Sequence, residues 1–473
     1  MRRFGLCTLL VTVVGCGDSG VDDTLPPVNA GVNVLLITID TLRADHLSSY
    51  GYVRQTSPNI DALAATGVIF DGAHTYWPKT RGSFAAMFTG LYASQHGLTV
   101  RDRDLPGFNQ TLAETFADAG YETAAALDNG NLDEALGFAQ GFETYEQTWL
   151  SGDTELERTE AITRFGETFL ARDASGQPFF LWLHYVNPHT PYEPPEETLS
   201  MFRGDGLVPE GPVLERVTGY HGGVNRKHVA VDGEEHWGDY IDRYDAEIRV
   251  ADTHIGRVIQ ALEAGGRRDS TLVVLTSDHG ESLGEHNYYF DHGNDLFNPS
   301  LRIPFVLSFP GMLPTGLRVA GAVSTLDLYP TILDLSRLSY PPELQGKSVL
   351  PLVRGTTDEL HDNLFFQNDQ HQMAISNGRL KLIHDPQGDV FSLFDTYRDP
   401  AERENRYAGA AAGVAPFKAQ LSSFRTRTIA WQQVTSSKRE DAGADAVQDS
   451  DLPDKTRERL CSLGYIDCGE EDP

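Results

Sequence analysis

The sequence predicts an α/β fold: a doubly wound, mostly parallel sheet flanked by helices, with a smaller C-terminal α+β subdomain. Three observations predict it. Apolar runs of strand length end in polar residues without internal alternation, the pattern of strands buried on both faces. Segments of helical period separate these runs. Beyond residue 346 the pattern changes to short apolar segments alternating with turns. At 473 residues with 40% hydrophobic content, the chain is long enough for one large core and a second, smaller one.

Residues 33–40 are the first such run, and Asp40 emerges at its carboxyl end, where open α/β sheets bind ligands. Ser57 and Pro58 cap a helix whose Ile60, Leu63 and Ala64 share one face and which ends at Gly67. Residues 68–70 read as a short strand leading to a loop that carries Thr80. Residues 84–88 form a short apolar helix, closed by Thr89 and a Gly90 C-cap. The Thr80 hydroxyl thus lies ahead of a helix, where free N–H groups and the helix dipole favour an anion. Thr80 or Ser83 acting as a plain N-cap is the alternative. Thr111 and Glu114 make a capping box for a helix that stops at Gly120, and a strand follows at 123–127.

Residues 179–185 are another buried strand, delivering His189 from its carboxyl end. A helix over 244–264 aligns Ile248, Ile255, Val258 and Leu262 and stops at Gly265 and Gly266. The strand at 271–276 runs directly into Asp278 and His279, and 303–309 give one more strand. In the C-terminal part, segments near 364, 373, 380 and 390 predict a small antiparallel sheet with a helix. Residues 408–413 and 440–451 are poor in large apolar side chains and predict loops or partial disorder.

The N-terminus carries Arg2 and Arg3, an apolar run at 9–14, and then Gly15 and Cys16, which is a secretory signal too short to span a bilayer. Residues 13–16 resemble a bacterial lipobox, in which Cys16 is lipidated and becomes the mature first residue. The organisation predicted is a lipoprotein-type signal over 1–15, a flexible tether over 16–32, a main α/β domain over 33–345 and a C-terminal subdomain and tail over 346–473. The protein is then membrane-anchored through lipid in the bacterial cell envelope, on the periplasmic side of the outer membrane or the cell surface. The formal charge of −30 argues against nucleic acid as a partner. Cys461 and Cys468 are spaced for a local disulfide in an oxidising compartment.

Asp40, Asp278 and His279, all at strand ends, suit a hard divalent cation, with histidine tilting the choice towards Mn²⁺ or Zn²⁺ over Mg²⁺ or Ca²⁺. A cation that also takes Thr80 lowers the alcohol's pKa and neutralises the charge that develops when it attacks. His189, His286 and His292 lie in Gly/Pro-rich loops, and His189 and His292 are placed to donate to an anionic ester or to protonate its leaving group. Lys79 and Arg81 flank the nucleophile as an anion clamp, with simple solvation favoured for Arg81. The Gly/His-rich insertion over 207–237 is placed to shape the substrate pocket.

The motifs Asp40 to Asp45, Ser57 to Asp61, Thr89 to Tyr92 with His96-Gly97, Pro188 to Pro191, Ser277 to Glu281, Asp327 to Thr331 and Leu463-Gly-Tyr465 resemble the sulfatase family of the alkaline phosphatase superfamily. The resemblance implies one active-site divalent metal held by Asp40, Thr80, Asp278 and His279. It also implies Thr80 as nucleophile, His189 as a substrate-contacting or proton-donating residue, and His292 where many sulfatases place a substrate-binding lysine. The chain departs from the usual pattern at the nucleophile. Thr80 stands where sulfatases carry the Cys or Ser that becomes formylglycine; Gly82 and Phe84 replace the proline and arginine of that motif, and Thr41 replaces the second acid of an Asp-Asp pair. Threonine cannot form formylglycine, and the ligand set is similar to that of threonine-nucleophile phosphotransferases and phosphodiesterases in the superfamily. The expected activity is therefore metal-dependent hydrolysis of an anionic phosphate or sulfate ester, with phosphoester chemistry favoured. Formylglycine-independent sulfuric ester hydrolysis is the first alternative, and a catalytically inactive binding protein of the same fold the second.

Overall fold

The structure, a computed structural model, describes residues 31–99, 103–172, 176–217, 221–225, 236–341, 343–409, 413–443 and 447–466. The predicted signal segment, Cys16, nearly all of the tether and Cys468 lie outside the described residues. Cys461 is disulfide-bonded.

The large sheet has eight strands: β1 (Asn33–Ile39), β2 (Val68–His74), β3 (Glu122–Leu127), β4 (Thr144–Gln147), β5 (Phe179–Tyr185), β6 (Thr271–Ser277), β7 (Phe305–Ser308) and β8 (Leu317–Ser324). Their order is β8-β2-β7-β6-β1-β5-β3-β4. Pairing is parallel from β6 through β1, β5 and β3 to β4, and between β2 and β8. The exception is β7, antiparallel to both β6 and β2. A uniform β-α-β alternation does not extend to this strand. The chain between β6 and β7 carries no crossover helix of the kind that parallel neighbours require, only short strands, turns and the four-residue helix Asn298–Leu301.

Alternate residues of the central strands enter two different cores, which is what a sheet covered on both faces demands. Val34 and Leu36 of β1, Phe180 and Trp182 of β5, and Leu272 and Val274 of β6 face one core. Leu35, Ile37 and Ile39, Leu181 and Leu183, and Val273 and Leu275 face the other. Each such side chain contributes about 1.5–3 kcal/mol by leaving water. The second core is covered by α1 (Pro58–Ala65), with Ile60 and Leu63 inward as predicted, and by two longer helices described below. The first core is covered by α2 (Thr80–Thr89) and α3 (Leu112–Asp118), the latter opened by the Thr111–Glu114 capping box. Ser57 does not cap α1 through its side chain; its hydroxyl turns to the Asp61 carboxylate at 3.2 Å.

The two longer helices are α4 (Glu155–Ala171) and α5 (Trp237–Ala264). The latter begins seven residues before the sequence-predicted start at 244, because its first two turns carry polar residues around the apolar stripe of Tyr240, Ile241 and Tyr244. The insertion preceding it supplies the short strands Arg216–Val217 and Val224–Asn225, which join Tyr289–Asp291 and Ser282–Leu283 in a small sheet just ahead of His292. The first core is completed by α6 (Leu328–Ser336).

The predicted C-terminal sheet is present as β9 (Leu364–Gln367), β10 (Met373–Ser376), β11 (Leu380–Asp385) and β12 (Val390–Asp395), antiparallel in sequence order. It packs on α7 (Ala415–Ala442). Helix α7 continues through residues 440–442, where a loop was expected, because side chains fasten it to the main domain: Arg439 to Asp104 at 3.2 Å and Thr435 Oγ1 to the Ser94 carbonyl at 2.9 Å. The final helix, α8 (Asp454–Ser462), returns to the main domain and buries Leu460 in the first core.

Candidate active site at the carboxyl ends of β1 and β6

Parallel β1 and β6 are locked in register, with Ile39 opposite Ser277, so Asp40 and Asp278 emerge side by side. His279 follows at once. One ligand atom from each of Asp40, Asp278 and His279 lies within 4.8 Å of the others, and all three residues are buried. His279 Nδ1 is 3.0 Å from the Gly280 carbonyl, so it carries the proton and leaves the Nε2 lone pair facing inward. That lone pair is 3.7 Å from Asp40 Oδ1 and 3.4 Å from Asp278 Oδ2, and neither oxygen has a hydrogen-bond partner among the described residues. Three lone pairs converging in a buried space repel one another; two carboxylate charges about 4 Å apart cost about 4 kcal/mol even with moderate screening. A divalent cation is the group this arrangement fits. The titration directions agree with it. Burial, then the charge of Asp40, raises Asp278 well above the ordinary carboxylate range. Burial also works against ionisation of Asp40, but the His184 contact and the neighbouring His189 and His279 outweigh it and bring that carboxyl down to about 2.

Thr80 is the first residue of α2, following the extended Lys79, and no side chain caps this helix. The helix thus starts four residues earlier than the apolar run at 84–88 suggested. Thr80 is fully buried, with Oγ1 3.4 Å from His279 Nε2 and 3.0 Å from the Tyr465 hydroxyl. Gly82, at the position of the family's proline, has no room for a side chain: a Cβ there would lie 2.6–2.8 Å from the Trp77 indole. Phe84, at the arginine position, is buried against Trp182 and His184 at ring separations of 5.1 and 4.9 Å.

His189 and His292 both lie beside Tyr465, and His292 also lies beside His279. His189 Nδ1 is 2.6 Å from the Thr190 carbonyl, which holds the proton on Nδ1, and its Nε2 is 2.9 Å from the Tyr465 hydroxyl. Burial is the main cause that brings His189 down to about 4, so it is neutral at physiological pH. The His292 ring lies 4.2 Å from that of His279 and 5.2 Å from that of His189, with Nδ1 3.0 Å from the buried Glu281 carboxylate. His286 does not join them; it stacks on Phe297 at 3.5 Å. Lys79 reaches Asp369 at 3.2 Å. Arg81, for which a solvated role was favoured, is instead buried.

Four contributors escaped the sequence reading. Asn129, just beyond β3, donates from Nδ2 to Asp40 Oδ2 at 2.6 Å; its strand-end position was a readable signal. His184 stands opposite Thr38 across the β1–β5 ladder and lies 3.6 Å from the same Asp40 oxygen. Glu281 orients His292. Tyr465 reaches Thr80 from the far end of the chain, and no spacing in the sequence announces that contact.

The model of the Sulfatase family matches residues 32–338 of this chain. The chain belongs to the sulfatase family. The match to a second family, N-sulphoglucosamine sulphohydrolase, C-terminal, covers residues 284–426. Among curated relatives, this sulfatase-family chain is 26% identical over 443 residues to an arylsulfatase of Clostridium perfringens, covering 79% of this chain and 89% of the relative. Among solved structures it is similar to that of BT4656 in complex with its substrate D-glucosamine-2-N,6-O-disulfate, with a TM-score of 0.71, 21% identity and coverage of 85% and 98% of the two chains. It is also similar to the phosphonate monoester hydrolase of Agrobacterium radiobacter, with a TM-score of 0.66, 22% identity and coverage of 85% and 96%. The chain is thus a sulfatase-family hydrolase, and the fold predicted from its sequence is the one it has.

Proposed function

We propose that this hydrolase cleaves phosphate or sulfate esters with Thr80 as its nucleophile, and that phosphoesters are the preferred substrates. The observation that carries the reading is the position of the Thr80 hydroxyl against the His279 Nε2 lone pair, beside two carboxylate oxygens without a partner among the described residues. Asp40, Asp278 and His279, together with Thr80, would hold a divalent cation, which when bound would acidify the alcohol and offset the negative charge of the transition state. The residues of the chain handle the proton. With its proton on Nδ1, His189 accepts at Nε2, so the Tyr465 O–H donates to it and the Tyr465 oxygen accepts from the Thr80 O–H. As Thr80 Oγ1 bonds to phosphorus and the bond to the leaving alkoxide breaks, the Thr80 proton passes towards His189 and from there to the leaving oxygen. His292, oriented by Glu281, donates to a non-bridging oxygen or shares that role. Water then releases the phosphoryl group from Thr80.

Phosphorus is favoured over sulfur by the nucleophile itself. A formylglycine hydrate expels sulfate by elimination from a hemiacetal, whereas a sulfated threonine has no such route and needs direct attack of water at sulfur. Sulfuric ester hydrolysis without formylglycine is the second reading, favoured by the family to which the chain belongs. The test is release of phosphate from aryl phosphate mono- and diesters and of sulfate from aryl sulfate by purified, metal-loaded protein, with Thr80→Ala as control. Phosphate release that Thr80→Ala abolishes supports the first reading. Sulfate release alone supports the second, and undiminished turnover by the variant removes Thr80 from the role. We propose further that lipid on Cys16 anchors the protein in the bacterial envelope; Cys16→Ser then shifts it from the membrane fraction to the soluble fraction.

A further inference from the structure

The pocket beside Thr80 contains donors that this chemistry leaves unused. Arg81 Nε donates to Asn131 Oδ1 at 2.9 Å and Nη2 to Asp449 Oδ1 at 3.0 Å, but Nη1 has no partner among the described residues. Asn131 Nδ2 has none either. Arg81 is 6% exposed and Asn131 2% exposed, so bulk water does not compensate them, and leaving such groups unmet costs about 1–3 kcal/mol each. Both line a pocket of about 270 Å³ that also includes Thr80, Arg103 and Tyr465.

Charge is left over in the same place. Arg81 and Arg103 both pair with the single carboxylate of Asp449, while Lys79 is matched by Asp369. Burial, followed by the nearby Arg103, brings the Arg81 guanidinium down to about 10, which still leaves it a cation at neutral pH. Among the described residues, two guanidinium groups thus share one carboxylate. Successive residues of a helix point about 100° apart, so Arg81 does not face the spot that the Thr80 hydroxyl addresses.

We propose that Arg81, Asn131 and Arg103 form a second anion-binding subsite, and that the substrate is a doubly anionic ester whose further sulfate, phosphate or carboxylate lies in the same pocket as the group attacked by Thr80. Asp449 is the internal counter-ion with which that second anion competes. The substrate half of this inference rests on the proposed function; the anion half stands without it.

Inorganic sulfate titrated calorimetrically into chelator-treated protein tests the anion half, because no cation then holds the ion at Asp40, Asp278 and His279. Arg81→Gln is expected to weaken sulfate binding about tenfold, the worth of a lost charge-assisted bond. Asp449→Asn, which removes the competing carboxylate, is expected to tighten it by a similar factor, and it carries the test alone if Arg81→Gln does not fold. Equal affinity in wild type and variants overturns the subsite whether or not the protein hydrolyses any ester. The substrate half is read from metal-loaded Thr80→Ala protein binding glucosamine 6-sulfate or glucosamine-2-N,6-O-disulfate. A preference of about tenfold for the disulfate that disappears on adding Arg81→Gln supports it. No preference, in a protein whose sulfate binding does depend on Arg81, overturns the doubly anionic substrate and leaves the subsite.

Discussion

Asp40 and Asp278 reach the active site from adjacent strands held by a continuous backbone ladder, whereas Tyr465 reaches the same threonine hydroxyl from a short segment that only side chains fasten down. The floor of the site moves only if the central sheet moves. The segment above it, residues 447–466, is tied by Thr456 to Trp149 and Asp133, by Arg459 to Asp128, by Asp449 to Arg81 and by Leu460 in the core. Backbone hydrogen bonds leave little choice of position once the register is set. Side-chain ties, each contributing about 0.5–3 kcal/mol, can be removed one at a time. The candidate metal site is therefore built into the sheet, and the proposed proton path is an addition laid across it.

The largest expected effect tests whether chemistry belongs to the floor. Thr80→Ala should lower turnover by at least about 10³-fold while thermal melting changes little, since the removed hydroxyl makes no tie on which the fold depends. Retained turnover would place the reaction elsewhere. The second test separates the two roles of the floor. Adding a chelator to the metal-loaded wild type should cost about 3 kcal/mol of stability if the metal had been present at about a hundred times its dissociation constant. Asp278→Asn should abolish that dependence and melt no lower than the metal-free wild type, because it removes one of two mutually repelling buried carboxylates. Calorimetric melts with and without chelator provide the comparison.

Tyr465→Phe sharpens the contrast from the other side. It deletes one hydroxyl from the proton path and should reduce kcat about 10- to 100-fold with metal content unchanged. A parallel loss of metal would show that the C-terminal segment also shapes the floor. The last effect, confined to acid pH, concerns His96, buried near Arg439 of α7. Burial, then the Arg439 charge, brings it down to about 3. The unfolded chain, with the ordinary value near 6.5, takes up a proton on acidification that the fold refuses. This contribution to stability is therefore complete above about pH 6.5 and is lost as pH falls towards 3, by at most about 1.4 kcal/mol per pH unit. Urea titrations across that range should show a shallower decline for His96→Gln than for wild type.

Much of the floor was legible before any coordinates. An apolar run ending in an acid identifies a buried strand and the end at which ligands bind, and this rule placed Asp40, Asp278 and His279 together although more than two hundred residues separate them in sequence. Periodicity also identified α1, the C-terminal sheet and the body of α5. The same rules mislaid β7, whose direction depends on the connection before it and not on its own residues. They also treated residues 440–442, the start of the stretch 440–451, as loose chain, because a helix packed by Arg439 and Thr435 shows no apolar stripe there.

Composition and pattern by themselves determined the layered α/β architecture and the acids and histidine at the strand ends, and the resemblance put a threonine where the family carries formylglycine. Those features depend on local periodicity and on which atoms a side chain owns, both of which are written residue by residue. Tertiary structure alone decided that Arg81 is buried with one donor unmet among the described residues, that Asn131 lines the same pocket, and that Tyr465 bridges Thr80 and His189. These are contacts between segments with no shared period, and they exist only because the chain, after building its small sheet and long helix, comes back to close over the ends of the first strands it made.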